Sequence, residues 1–179
     1  MDKAAVFIDG GYLARVLEKD FGGIRIDLES FSNKLCEGAE RLRTYYYFCM
    51  PYQSNPPTKE EKERYSAADR FVHALKMLSR FEVRLGKLGY HEGEYTQKRV
   101  DVMLSVDLVR MSWDKQIKRA VLVTGDSDFV PAVLAAKDAG VLTVLYYSTT
   151  SCHDELLEAC DDTIEITKEL LHSVKLKKE

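Results

Sequence analysis

Short apolar runs closed by turn residues alternate with stretches of helical period along most of the chain. Residues 4–8 are a buried strand that ends at Asp9-Gly10-Gly11. A helical pattern follows over 12–19 and breaks at Phe21-Gly22-Gly23, and a second covers 27–36 with Asp27 as its cap. The aromatic stretch 42–50, with Tyr45, Tyr46, Tyr47 and Phe48, predicts the second strand. Residues 51–58 hold Pro51, Pro56 and Pro57 and predict an exposed loop. A long helix is predicted over 59–80, charged in its first half and amphipathic later through Phe71, Leu75 and Leu78. Residues 83–88 give a third strand and 89–97 a polar loop with two glycines. Over 100–111 almost no polar face is left, which predicts a helix buried on most sides. Strands at 120–123 and 141–147 flank a helix over 130–139 that ends at Gly140. A short helix at 151–159 and a last strand at 163–166 follow. This alternation predicts an α/β fold with a mostly parallel sheet between helices. It forms one domain over 1–167, followed by a basic C-terminal tail over 168–179.

Composition narrows the class only a little. The chain has 179 residues, 45% hydrophobic and 31% charged, which is ordinary for a globular domain with its own core. A formal charge of −3 argues against a globally basic nucleic-acid binder but leaves room for a local basic patch. No apolar run approaches the ~18 residues of a membrane span. The first residues run straight into a strand and meet an acid at Asp9, which predicts no signal peptide and a cytoplasmic protein. Cys36, Cys49, Cys152 and Cys160 form no CxxC pair, so they read as small apolar residues in a reducing compartment rather than as zinc ligands, even with His153 near Cys152.

The candidate chemistry lies in acids at element ends. Thr124-Gly125-Asp126-Ser127-Asp128-Phe129 follows the buried strand and leads into a helix, so two carboxylates stand one residue apart at the strand's carboxyl end. Ligands of open α/β sheets bind at that end. Like charges held so close need a cation or a proton between them. Asp9 ends the first strand in the same way, and either caps the next helix or joins the acid site. Asp101 opens the apolar helix with the same two readings. Asp128 could cap the helix that carries Pro131 in its first turn, which leaves Asp126 and Ser127 in the loop with no structural task. Asp107 lies mid-helix among apolar neighbours and lies about 120° around the helix from Asp101. It therefore reads as a supporting residue holding Lys98, Thr124 or a backbone group. Acids converging on one edge suit Mg²⁺ or Mn²⁺, which take oxygen ligands, water and phosphate oxygens.

Phe7-Ile8-Asp9-Gly10, Lys98-Arg99-Val100-Asp101-Val102-Met103-Leu104, Asp107-Leu108 and Thr124-Gly125-Asp126-Ser127-Asp128-Phe129-Val130-Pro131, in that order, resemble the NYN domain family. The look is closest to its LabA-like branch within the PIN-like nuclease group and spans about residues 4–167. The resemblance implies a PIN-like three-layer sandwich with metal-binding acids at the carboxyl edge of the sheet. It also implies divalent-metal-dependent hydrolysis of RNA, leaving a 5′-phosphate and a 3′-hydroxyl. Carried over by position, Asp9, Asp101, Asp126 and Asp128 would be the catalytic, metal-holding acids. Thr124 would place a hydroxyl near the reacting phosphate, with Ser127 and Asp107 in support. The family pattern usually carries Asn three residues after the first acid, and this chain has Tyr12 there.

RNA held against an acidic site needs cations at the rim. Lys98, Arg99 and Arg15 are the candidates, with Tyr12, Tyr52, Tyr90 and Tyr95 available to stack on unpaired bases. Lys59, Lys62 and Arg64 alternate with Glu60, Glu61 and Glu63 and read as a solvated helix face, and His73 and His91 read as structural. The partner expected is single-stranded or looped RNA, with a homodimer as an allowed assembly. A catalytically weak RNA-binding or regulatory module is the competing reading. A dehalogenase-like phosphatase would need an acid where Gly11 stands, and a dinucleotide-binding turn would need a third glycine after Gly10-Gly11.

Overall fold

The computed structural model describes residues 1–91 and 94–176, with side chains described outside 87–98. Strand β1 (Lys3–Asp9) lies at its centre and is buried from Ala4 to Ile8. Strand alternation splits its side chains between two cores. Ala5 and Phe7 join the core under α4 (Val100–Trp113), α5 (Val130–Asp138) and α6 (Asp154–Ala159). Ala4, Val6 and Ile8 join the other, under α1 (Gly10–Lys19), α2 (Leu28–Leu35), α3 (Lys59–Lys76) and α7 (Lys168–Ser173). The result is a three-layer α/β sandwich.

Six strands run parallel. β1 pairs with β2 (Glu40–Cys49) on one side and with β5 (Arg119–Val123) on the other. β3 (Phe81–His91) extends the sheet beyond β2, and β6 (Leu142–Tyr147) and β7 (Asp162–Glu165) extend it beyond β5. With β4 (Glu94–Lys98) at the edge beside β3, the full order is β4-β3-β2-β1-β5-β6-β7. The chain leaves β1 for one side and later returns to the other. A crevice therefore opens between the carboxyl ends of β1 and β5, the switch point at which such sheets bind ligands.

Four predicted elements differ. Residues 89–97 are not a loop: β3 runs to His91 and β4 (Glu94–Lys98) returns antiparallel, pairing Tyr90 with Tyr95 and Gly89 with Thr96. Tyrosine and threonine favour the pleated backbone, which outweighs the polar character that suggested a loop. Residues 168–173 are not a basic tail but helix α7, capped by the Thr167 hydroxyl, with Leu171 and Val174 buried and Lys175 bridged to Ile26. Helix α4 is not buried on most sides. Val102, Val106 and Trp113 are 64%, 56% and 59% exposed, because the sheet and α5 cover only one flank of it. Helix α3 also stops at Lys76, four residues short of the predicted end.

Candidate active site

Both strand-end acids are where the apolar runs place them, and each is built into its turn. Asp9 closes β1, and its Oδ1 accepts the Tyr12 backbone N–H at 3.0 Å, capping α1. Gly10 is required here, since a Cβ would lie 2.5 Å from the Tyr46 ring and 2.7 Å from the Tyr47 carbonyl oxygen. Asp126 follows β5, and its Oδ1 accepts the Asp128 N–H at 2.9 Å, capping the 3₁₀ turn Ser127–Phe129. This reverses the expected division of labour. Asp126 is the cap and Asp128 is not, because the 3₁₀ turn delays the start of α5 and leaves the exposed Asp128 side chain free of that task.

Asp101 enters from the opposite layer, in the first turn of α4. It caps nothing: Arg99 is the N-cap residue, in the left-handed region at φ 80°, and supplies no side-chain cap. The four acids share one electrostatic field. Burial raises the Asp101 pKa above the usual carboxylate value, and the charges of Asp9, Asp126 and Asp128 raise it further. Burial likewise raises Asp9, with Asp126 adding to it, against the opposing pull of the Tyr12 and Gly11 N–H groups and of Arg15. Among the described residues, no three acidic, histidine or cysteine side chains form a ready-made metal cage. The donor set is oxygen only and mutually repulsive. It fits a hard cation that keeps water and binds through one or two carboxylates, as Mg²⁺ does.

The supporting residues differ more from expectation. Thr124 is fully buried, and its hydroxyl accepts the Asp126 N–H at 3.4 Å, so it shapes the acid-bearing turn rather than meeting a phosphate. Ser127 is half-buried at the start of that turn. Asp107, 7% exposed, takes the Tyr47 hydroxyl at 3.0 Å, Arg84 Nε at 3.1 Å and Arg110 at 3.2 Å. Thr124 is not among these partners, because the helix turns Asp107 toward β2 and β3. Tyr12 is not a stacking platform. It is 2% exposed, and its hydroxyl accepts the Ser148 N–H at 2.8 Å. Arg15 and Arg99 are exposed near Asp9 and Asp101. The side chains of Lys98, Tyr90, Tyr95 and His91 lie outside the described residues.

One wall of the site had no forecast. The loop after β6 carries Thr149, Thr150, Ser151, Cys152 and His153, which with Asp9, Tyr12, Arg15, Gly125 and Asp126 line a cleft of about 520 Å³. Asp20 anchors this loop by accepting the Ser148 and Thr150 hydroxyls at 2.6 and 2.8 Å. The polar run Ser148-Thr149-Thr150-Ser151 at a parallel strand's carboxyl end was the available signal.

Six parallel strands between helix layers, with carboxylates gathered at the switch point, define a PIN-like nuclease fold. The NYN domain family matches residues 3–167, and the chain belongs to that family. No curated protein matches it. Among solved structures, it is similar to a protein of unknown function from Vibrio parahaemolyticus, at 20% identity and a TM-score of 0.72. That match covers 98% of this chain and 96% of the other, and it establishes the shared fold. Among the described residues no helix is long and apolar enough to cross a membrane.

Proposed function

We propose that the chain is a ribonuclease that hydrolyses RNA phosphodiester bonds with Mg²⁺ or Mn²⁺. The observation that carries this reading is the mutual repulsion of Asp9, Asp101, Asp126 and Asp128, drawn from three separate elements to one switch point. Capping accounts for Asp9 and Asp126 singly, but not for Asp101 and Asp128 beside them, since each added acid raises the cost of ionising the next. These acids would hold the cation, which when bound lowers the pKa of water and offsets phosphate charge. Thr124 and Tyr12 fix the turns that present them. Arg15 and Arg99 supply positive charge for the RNA backbone on either side of the row.

The test is cleavage of a labelled single-stranded RNA with Mn²⁺, Mg²⁺ or EDTA. Asp126→Asn keeps an oxygen for the Asp128 N–H, so it is expected to fold normally and to lose cleavage by 100-fold or more, on the order expected for removal of a key charged group. Full activity in that variant would overturn the reading. A second reading, a catalytically weak RNA-binding module, is favoured by Tyr12, which spends its hydroxyl on Ser148 where the family pattern carries Asn. Metal-independent RNA binding without turnover would select it.

A further inference from the structure

The row of acids is not symmetric. On the α1 side, Asp9 and Asp126 floor the 520 Å³ cleft, whereas Asp101 and Asp128 contribute nothing to its lining. Beyond Asp128, the surface between α4 and α5 is dominated by Val106, Val109, Pro131 and Ala132. An RNA strand crossing the acids therefore meets a polar recess on one side and an apolar shelf on the other.

We infer that the recess binds one ribonucleotide of single-stranded RNA, next to the bond that is cut; this rests on the ribonuclease reading above. Its volume falls within the ~300–1,000 Å³ of small-ligand sites and excludes a duplex. Among the described residues, Arg15 is the one arginine or lysine of its lining and suits a phosphate. The hydroxyls of Thr149 and Ser151 can donate and accept, as sugar hydroxyls and base edges require.

The wall is held in place by hydrogen bonds within the loop and to its neighbours. The Tyr12 hydroxyl holds the Ser148 backbone, Asp20 holds the Ser148 and Thr150 side chains, and the Gly125 carbonyl accepts the His153 N–H at 3.0 Å. Ser151 Oγ is different. It is buried and has no hydrogen-bond partner among the described residues. A buried hydroxyl without a partner carries a desolvation cost that a ligand's polar group would recover.

The probes are the four nucleoside 5′-monophosphates, titrated calorimetrically into the full chain with Mg²⁺ and at two salt concentrations. At least one is expected to saturate at millimolar concentration or below, more weakly at the higher salt. Thr149 is exposed and makes no hydrogen bond among the described residues, so Thr149→Trp should fold and fill the cleft. It is expected to weaken mononucleotide binding tenfold or more and to slow RNA cleavage, with the Mn²⁺-induced thermal shift intact. Ser151→Ala should weaken binding three- to tenfold with no loss of thermal stability.

Mononucleotide binding that Thr149→Trp leaves within twofold would overturn the inference, and so would metal-dependent RNA cleavage with no mononucleotide binding. Mononucleotide binding lost in Thr149→Trp, in a protein that cuts no RNA, would keep the subsite and remove the ribonuclease reading instead.

Discussion

A Cβ on Gly125 would collide with the Ser151 carbonyl oxygen and come within 2.5 Å of the Tyr12 ring, so backbone, ring and loop close together there without a gap. Neither neighbour is a flexible side-chain end, and the Ser151 backbone is tied through its loop to Asp20 and Tyr12. Gly125→Ala should therefore destabilise the fold by about 1–3 kcal/mol, the range for overpacking a well-filled site. Urea denaturation would measure it, and unchanged stability would mean that the 148–153 loop yields freely. Asp9 and Asp126 could be read from the chain because each ends an apolar run, a local pattern. Tyr12 could not. Its partner, Ser148, is 136 residues away, and nothing near position 12 distinguishes a tyrosine that stacks on a base from one that anchors a loop.

At the scale of elements, α4 shows what a single buried carboxylate can do. Its first turn presents Asp101 to the site, and two turns later Asp107 is tied to β2 through Tyr47 and to β3 through Arg84. Arg84 also lies over the Tyr45 ring at 5.4 Å, within an aromatic stack that runs from Phe7 through Tyr45 to Tyr47. The network sets the rotation and height of α4 against the sheet and so fixes where Asp101 stands. Asp107→Ala would leave the buried Tyr47 hydroxyl without its acceptor and would take a carboxylate from Arg110 and from Arg84, which keeps Glu82. Breaking a buried pair costs about 3–5 kcal/mol, and the half-exposed arginines reduce the expectation here to about 2–3 kcal/mol. Tyr47→Phe, which removes one donor and leaves Asp107 its two arginines, should cost about 1 kcal/mol. Equal losses in the two variants would mean that the arginines contribute nothing. The strand–helix alternation was legible because its apolar runs are short and bounded. The β3–β4 hairpin and α7 were not, since glycine, glutamate and lysine there suit a loop until a neighbouring strand or core gives them a partner.

For the whole molecule, gathering the acids opposes folding at neutral pH. Asp9 and Asp101 both titrate above the ordinary carboxylate value of 3.8 in the folded state, because burial and neighbouring acids disfavour their ionised forms. A raised folded pKa gives a contribution to stability that is complete below the unfolded pKa and lost as pH rises through the folded one. At neutral pH the metal-free protein therefore carries a destabilising charge cluster, which a bound divalent cation would relieve. Asp161 titrates in the other direction: burial opposes its ionisation, but the Thr143 N–H and hydroxyl and Lys137 hold its pKa below 3.8. The pH profile of the protein alone mixes both signs, whereas a comparison with Asp101→Asn separates them. That variant should melt higher than the wild type at pH 7 without metal, and the difference should vanish as pH falls toward 4. Added Mn²⁺ should raise the wild-type midpoint at pH 7 and do so less at pH 5, where protons compete for the same oxygens. In Asp101→Asn the Mn²⁺ response should shrink at both values. Thermal melts at the two pH values, with Mn²⁺ or EDTA, would measure all of this. A wild-type midpoint indifferent to Mn²⁺ at pH 7 would mean that the acids are gathered for something other than a cation.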